Sequence, residues 1–170
     1  MALRSRSGFW MNVTIAVTET TPKGLPKEVK EQYCVEAASF IDAEERIRKE
    51  LNYSNRPIRN VVGIVRPKYG EICFNDDTAA ENWYKAKVVT TEEVEVRTRK
   101  GGTRTKSKSV SHFYLIQSDS NENARKAVDE VIYKESNEDY EIADIQKTRI
   151  LDVLEFDKHL KKKEEEKKGE

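Results

Sequence analysis

This sequence of 170 residues has no net charge, only two cysteines and no long apolar run. Lysine plus arginine number 31 and aspartate plus glutamate number 31, so the formal net charge is zero. This balance excludes strong attraction of the whole molecule to polyanions and leaves such binding to a local patch. No apolar run approaches the roughly 18 residues that a membrane helix needs, and no apolar segment of a secretory signal follows residues 1–7. With two cysteines, we expect a reducing, cytoplasmic location and no membrane partner.

The residue types that carry catalysis and metal binding are few and scattered. Cys34 and Cys73 lack the spacing of a zinc site, and neither His112 nor His159 has a second ligand at a suitable distance along the chain. The pair Gly101-Gly102 is typical of a hairpin turn and does not form a phosphate-binding loop. We therefore predict a protein that is not an enzyme, binds no metal and takes no cofactor.

One pattern occurs twice in the chain. The run WMNVTIAV from Trp10 resembles the run WYKAKVVT from Trp83, 73 residues later. Downstream, from residue 33 to residue 73, the offset is 81, and it relates Tyr33 to Tyr114, Ile47 to Val128, Cys34 to Leu115 and Cys73 to Leu154. Because the offset changes once, within a hydrophilic connection, the pattern predicts an internal duplication. Positions that take cysteine in one copy and leucine in the other are expected to be buried in the core.

Each copy has the pattern of a β-β-α-β unit. Alternating apolar residues predict two strands, and Ser39 and Ser120 are expected to cap a helix before a third strand. Paired strands followed by a helix favour antiparallel sheets with one helix per repeat, packed on one face, in an α+β protein. We predict a flexible N-terminus at 1–8, a first repeat at 9–74, an acidic linker at 75–81, a second repeat at 82–157 and a mixed-charge tail at 158–170.

The second repeat contains a one-sided basic segment, RTRKGGTRTKSKS, at 97–109. Its cations, with no acidic residue among them, are Arg97, Arg99, Lys100, Arg104, Lys106 and Lys108. The central glycines predict the turn of a long, exposed hairpin. Nucleic-acid phosphates are the natural ligand of such a projection, through charge-assisted hydrogen bonds and counterion release. The alternative is a solvated edge hairpin whose lysines prevent aggregation.

The two tryptophans occupy matching positions in the two copies. By strand alternation, Trp10 shares a face with polar residues, and Trp83 shares one with Lys85 and Lys87. An aromatic side chain on a polar, basic sheet face is the arrangement that stacks single-stranded bases. We therefore include Trp10, Trp83, Lys85 and Lys87 in the predicted nucleic-acid site. The alternative is that each tryptophan closes the edge of the core or fills a contact between the copies.

Three stretches of the sequence carry a family resemblance: YCVEAASFIDAEERI, FNDDTAAENWYKAKV and DYEIADIQKTRILDV. They resemble domain-of-unknown-function family 4494 of bacteria and phages, over residues 9–156. Typical members have a Trp-Phe pair where this chain has Phe9-Trp10, and their second hairpin is shorter. The resemblance implies a protein similar to those encoded among phage replication genes, for which single-stranded DNA binding has been suspected.

Taken together, these features predict a sequence-nonspecific nucleic-acid-binding protein. The expected ligand is single-stranded DNA in a bacterial or phage replication setting, within the bacterial host cytoplasm. The alternative is a protein–protein adaptor or accessory protein whose duplicated sheets bind a partner protein.

Overall fold

The computed structural model of the protein describes residues 3–53, 58–134, 136, 138–155 and 169. Within them the fold is α+β and mostly strand. The elements, in chain order, are β1 (Leu3–Ser7), β2 (Trp10–Thr20), β3 (Pro26–Glu36), α1 (Phe40–Tyr53), β4 (Ile58–Val65), β5 (Glu71–Asn75), β6 (Asn82–Arg97), β7 (Thr103–Ser118), α2 (Asn121–Ala127), β8 (Tyr140–Lys147) and β9 (Ile150–Leu154). One π-helical turn, Val128–Ile132, continues α2.

The chain divides into two compact units. The β2 unit contains residues 8–70 and the chain from Arg149, and the β6 unit contains residues 1–7 and 71–148. Each unit has its own sheet and its own apolar core.

In the β2 unit, the four strands are ordered β4-β2-β3-β9. The β2–β3 hairpin and the β2–β4 pair are antiparallel, whereas β3 and β9 are parallel. Alternate residues of β2 point to one face and are buried against α1, so β2 and α1 share a core. That core includes Met11, Val13, Ile15, Val17, Val35, Ala43, Ile47, Leu51 and Leu154.

The start of α1 follows the predicted capping pattern. The backbone N–H of Asp42 donates to Ser39 Oγ at 3.1 Å, and Asp42 Oδ2 accepts from the backbone N–H of Ala38 at 3.2 Å. This reciprocal arrangement satisfies two backbone donors that have no partner inside the helix. Ala43, Ile47 and Leu51, the predicted apolar stripe, are buried, so this prediction is confirmed.

In the β6 unit, the five strands are ordered β1-β5-β7-β6-β8. The pairs β6–β7, β6–β8 and β1–β5 are antiparallel, and β5–β7 is parallel. Ser120 caps α2, since its Oγ accepts from the backbone N–H of Asn123 at 3.2 Å. Ala124, Ala127 and Val128 then pack against the even-numbered side chains of β6, as the sequence predicts.

One prediction about the sheets and one about the N-terminus are wrong. Neither sheet is purely antiparallel, because each contains one parallel pair at its β3 or β7 strand. The predicted flexible N-terminus at 1–8 forms β1 over Leu3–Ser7. This strand pairs with β5, Ser5 Oγ donates to Glu71 Oε1, and the Arg4 guanidinium lies 4.1 Å from the centroid of the Phe74 ring. A cation over an aromatic ring adds electrostatic attraction to the ladder.

The predicted boundaries at 9–74 and 82–157 differ from the observed division. β5 lies in the β6 unit, and β9 lies in the β2 unit. The acidic segment 75–81 is therefore not the joint between the units but an ordered connection from β5 to β6. Gln117 holds it on both sides: its Oε1 accepts from the Asn75 N–H at 3.1 Å and its Nε2 donates to the Ala80 carbonyl at 3.0 Å.

The predicted tail at 158–170 lies outside the described residues apart from Gly169. Across the described ranges, no helix is long and apolar enough to cross a membrane.

Candidate nucleic-acid interface

The basic segment forms the end of a two-stranded arm. β6 and β7 pair with each other over sixteen residues each. Their outer neighbours are much shorter. β8 pairs with β6 only over Tyr84–Thr90, and β5 pairs with β7 only over Tyr114–Ile116. From the pair Glu92–Lys108 to the pair Arg97–Thr103, the two strands pair only with each other among the described residues. Residues 92–108 are called the arm below; its ladder is about 17 Å long at 3.4 Å per residue.

The tip of the arm is a defined turn. The N–H of Gly101 donates to the Thr98 carbonyl at 3.1 Å, and the N–H of Thr98 donates to the Gly102 carbonyl at 2.7 Å. Gly101 has φ +83°, the left-handed conformation that this type of hairpin connection requires and that glycine adopts without steric cost. The turn therefore places Arg99 and Lys100 at the outermost end of the arm, where both are exposed. The predicted exposed hairpin is confirmed.

The register assigns each cation to a face of the arm. Residues directly opposite each other in an antiparallel pair lie on the same face. One face therefore carries Lys108, Lys106 and Arg104 opposite Glu92, Val94 and Val96. The other carries Glu93, Glu95 and Arg97 opposite Ser107, Thr105 and Thr103. The cations thus lie on both faces and at the turn.

Charge along the arm is graded from root to tip. The distal part, residues 96–104, carries Arg97, Arg99, Lys100 and Arg104 and no carboxylate. The proximal part carries three carboxylates and two lysines, which are Glu92, Glu93, Glu95, Lys106 and Lys108. The net charge is therefore +4 at the distal part and −1 at the proximal part. The one-sided basic run begins at Arg97, so it does not include these glutamates; pairing outward from Gly101-Gly102 places Glu92 opposite Lys108 and the other two opposite serine and threonine.

The prediction that Trp10 and Trp83 form a base-stacking surface is wrong. Each indole is only 2% exposed, so neither offers a ring face to a ligand. The Trp83 ring packs edge-to-face on Phe74, with centroids 5.6 Å apart and planes at 84°. Alternation correctly separates the faces, but it does not tell whether the second face is covered. In β2, Trp10 and Ala16 on that face are buried as deeply as Val13 on the other.

Lys85 and Lys87 do not join the arm's cations. They lie in the part of β6 that is flanked by both β7 and β8, where Lys85 is opposite Gln146 and Lys87 is opposite Asp144. Lys85 is exposed and Lys87 is half-buried. Ten residues of strand separate Lys87 from Arg97, which is about 34 Å along the chain. The structure therefore groups six of the ten predicted site residues, all of them on the arm.

The cysteines are core residues, as predicted. Cys34 and Cys73 are both fully buried and not joined to each other. Tyr69 hydroxyl donates to Asn12 Oδ1 at 2.6 Å and lies 3.6 Å from Cys34 Sγ. Burial raises the pKa of the Cys34 thiol to about 12 and that of Cys73 to about 11, because a thiolate is costly in an apolar environment. Burial likewise raises the pKa of Tyr69.

We expect neither thiol of the native protein to react with a soluble disulfide reagent at about pH 8, since about one in ten thousand Cys34 side chains would be ionised there. Both should react in denaturant, where their pKa values return to the ordinary range. Absorbance of the released thiol during the two reactions measures this. Fast labelling of Cys34 in the native protein would contradict its burial.

A tyrosine cluster lies at the π-helical turn, in a place that the sequence did not indicate. The Tyr114 and Tyr133 hydroxyls are 3.0 Å apart, the rings of Tyr133 and Tyr140 stack at 4.1 Å, and Tyr140 hydroxyl donates to Asp129 Oδ1 at 2.6 Å. Burial and the Tyr133 hydrogen bond raise the pKa of Tyr114. The role of this tyrosine cluster is packing, because Tyr114 and Tyr133 belong to the apolar core of the β6 unit.

Throughout the part of the chain that is described, no three His, Cys, Asp or Glu side chains are grouped to hold a metal ion.

Comparison with known proteins gives one family. No curated protein and no solved structure matches the chain. The family model described as "Domain of unknown function (DUF4494)" matches residues 9–156, nearly the whole of the two units. The resemblance seen in the sequence is thereby confirmed, and the chain belongs to the DUF4494 family.

Proposed function

We propose that the protein binds nucleic acid without sequence preference, through the distal part of the arm. The observation that carries this proposal is the placement of four cations and no carboxylate at the end of a ladder about 17 Å long. In a chain of zero net charge, that placement concentrates positive potential at one projecting point. Phosphates bind such a point by ion pairing and by release of condensed counterions.

The chemistry of the arm is that of binding, not catalysis. The arm contains neither histidine nor cysteine, and its cations lie in solvent on a two-stranded ladder. Contacts to phosphates position a protein but carry no sequence information. We therefore propose a non-enzymatic role in bacterial or phage DNA metabolism, within the bacterial cytoplasm, as the family resemblance implies.

We also infer that the two units are an internal duplication in which the copies exchange their last strands. The support is the register: residues related by the offsets 73 and 81 form related pairs in the two sheets. These are Trp10 with Glu36 and Trp83 with Gln117, Asn12 with Val65 and Lys85 with Gln146, and Cys34 with Val153 and Leu115 with Ile72. The arm is then the one hairpin that has been lengthened relative to its counterpart, β2–β3, and a lengthened basic element is a natural place for function.

A protein partner is the second candidate, favoured by exposed apolar side chains in the β2 unit. Phe9, Phe40 and Ile41 are 69%, 55% and 73% exposed. The Ala37 N–H donates to the Phe9 carbonyl at 3.0 Å, which brings Phe9 close to the start of α1. Exposed apolar residues that cluster are typical of protein interfaces.

The test of nucleic-acid binding is fluorescence anisotropy with labelled single-stranded and duplex oligonucleotides, between about 50 mM and 200 mM salt. In the arm-tip variant, Arg97, Arg99, Lys100 and Arg104 are changed to serine. The matched control changes four exposed lysines that are not part of the arm, Lys23, Lys27, Lys30 and Lys85, to serine. Both variants lose the same charge, so only position distinguishes them.

We expect salt-sensitive binding that the arm-tip variant loses and the control keeps. If four phosphate contacts disappear, the slope of log affinity against log salt should flatten by about 3 for the single strand and by about 3.6 for the duplex. A third variant, with Glu92, Glu93 and Glu95 changed to glutamine, should bind more tightly, because it removes the repulsion at the arm's root. The proposal fails if the intact protein binds neither oligonucleotide, or if the control loses as much affinity as the arm-tip variant.

A further inference from the structure

The arm lacks what a single-strand-binding surface uses. Proteins that hold single strands without sequence preference stack bases on exposed aromatic rings beside a basic groove. Residues 92–108 contain no aromatic side chain, and Trp10 and Trp83 are buried. Recognition by the arm must therefore rest on the shape and charge of the backbone.

The distribution of cations fits a ligand that surrounds the tip. Arg104 lies on one face of the ribbon, Arg97 on the opposite face, and Arg99 and Lys100 at the end. A single strand lying along one face would meet only part of this set. A groove between two phosphate backbones would meet all of it, because its walls flank both faces of an inserted ribbon.

On this basis, and resting on the proposed nucleic-acid binding, we propose that the ligand is a duplex and that the tip of the arm enters its major groove. The major groove of B-form DNA is about 12 Å wide and about 8.5 Å deep and admits a two-stranded ribbon, whereas the minor groove is about 6 Å wide. Minor-groove proteins that open the groove insert an apolar wedge. The turn here, from Thr98 to Gly102, contains no apolar wedge.

The charge gradient sets the depth of insertion. From the Val96–Arg104 pair to Thr98 the arm advances about 7 Å, and the turn adds its own length, so the carboxylate-free part matches the depth of the groove. Glu95 and Glu93 come next toward the root. Their carboxylates repel phosphates and stop the arm at this level.

The experiment compares one mixed-sequence oligonucleotide as a single strand and as a duplex, by anisotropy with the full-length protein at equal salt. The duplex is then challenged with methyl green, which occupies the major groove, or with netropsin, which occupies the minor groove. Both competitors are cationic, so a difference between their effects reports which groove the protein occupies and not competition by charge alone. We expect the duplex to bind at least about tenfold more tightly than the single strand, and methyl green but not netropsin to displace the protein.

The arm-tip variant provides the second readout. It should bind the duplex and the single strand equally weakly, because the cations that reach both groove walls are gone. Binding of the single strand tighter than the duplex, or displacement by netropsin alone, would overturn the groove assignment while leaving nucleic-acid binding in place. Binding of neither oligonucleotide would remove the proposed function itself.

Discussion

A chain that ends at Thr148 will lose the cooperative unfolding transition of the β2 unit. The missing strand, β9, lies beside β3 and contributes Leu154 to the core that contains Val35. Ile150 and Val153 are also buried. Burial of each such side chain is worth about 1.5–3 kcal/mol, so the loss approaches the 5–15 kcal/mol of total stability that is typical of a domain.

Urea unfolding, with hydrogen exchange of the β2 and β3 amides, measures this loss. The matched control is a chain that ends at Asp157, which keeps β9 and omits the mixed-charge tail. The control should unfold at the same urea concentration as the full-length protein, while amides of β2 and β3 in the shorter chain should exchange without protection. If the chain ending at Thr148 keeps both its midpoint and its dependence on urea, β9 is dispensable and the assignment of the C-terminal strand to this unit is wrong.

Local elements are the part of this fold that the sequence predicts well. A hairpin joins neighbouring segments, and its turn fixes the register; Gly101 is sufficient to place the arm. Helix α1 follows in the same way from the Ser39 cap and the spacing of Ala43, Ile47 and Leu51. In the hairpin and in the helix the interacting residues are close in sequence, so a short stretch of sequence includes both residues of each contact.

The sheets that β5 and β9 join are the part that could not be predicted from local pattern. β5 and β9 have five residues each, and the sequence of so short a strand does not specify a partner. Each strand pairs in parallel with a strand that is distant in sequence. Its position depends on the apolar surface that it covers. That surface is built from residues of other elements, so the local sequence does not contain it. The offset of 81 between Ile72 and Val153 relates the two strands to each other, but it does not indicate which sheet each one joins.

The candidate site is only partly predictable for a related reason. Charge is visible in the sequence, so the pattern identifies the six cations that lie on the arm. Solvent exposure depends on what covers a face, so Trp10 and Trp83 were misplaced. An aromatic residue among Asn12 and Thr14 looks like an exposed ring, yet tryptophan is on average highly buried. The polar neighbours Asn12 and Thr14 are half-buried as well, which shows that this face is covered between Trp10 and Ala16.

Replacement of Trp83 or Trp10 by alanine will therefore reduce stability and leave nucleic-acid affinity unchanged. Removing a buried indole costs about 3–5 kcal/mol, since it leaves a cavity as well as lost burial. For Trp83 the edge-to-face contact with Phe74 accounts for about 0.5–1.5 kcal/mol of this cost. Urea unfolding measures the loss of stability, and anisotropy in the absence of denaturant measures the affinity of the protein that remains folded.

Phenylalanine at the same positions provides the control that folds. It retains an aromatic ring and most of the apolar contact, so the loss of stability should be smaller than for alanine, and the salt dependence of binding should equal that of the unmodified protein. A ring that stacked on bases would behave in the opposite way: alanine would lower affinity by about 1–3 kcal/mol with little change in stability. That result would restore the tryptophans to the site and contradict their burial. With the expected result, binding depends on the arm, and the tryptophans stabilise the fold that supports it.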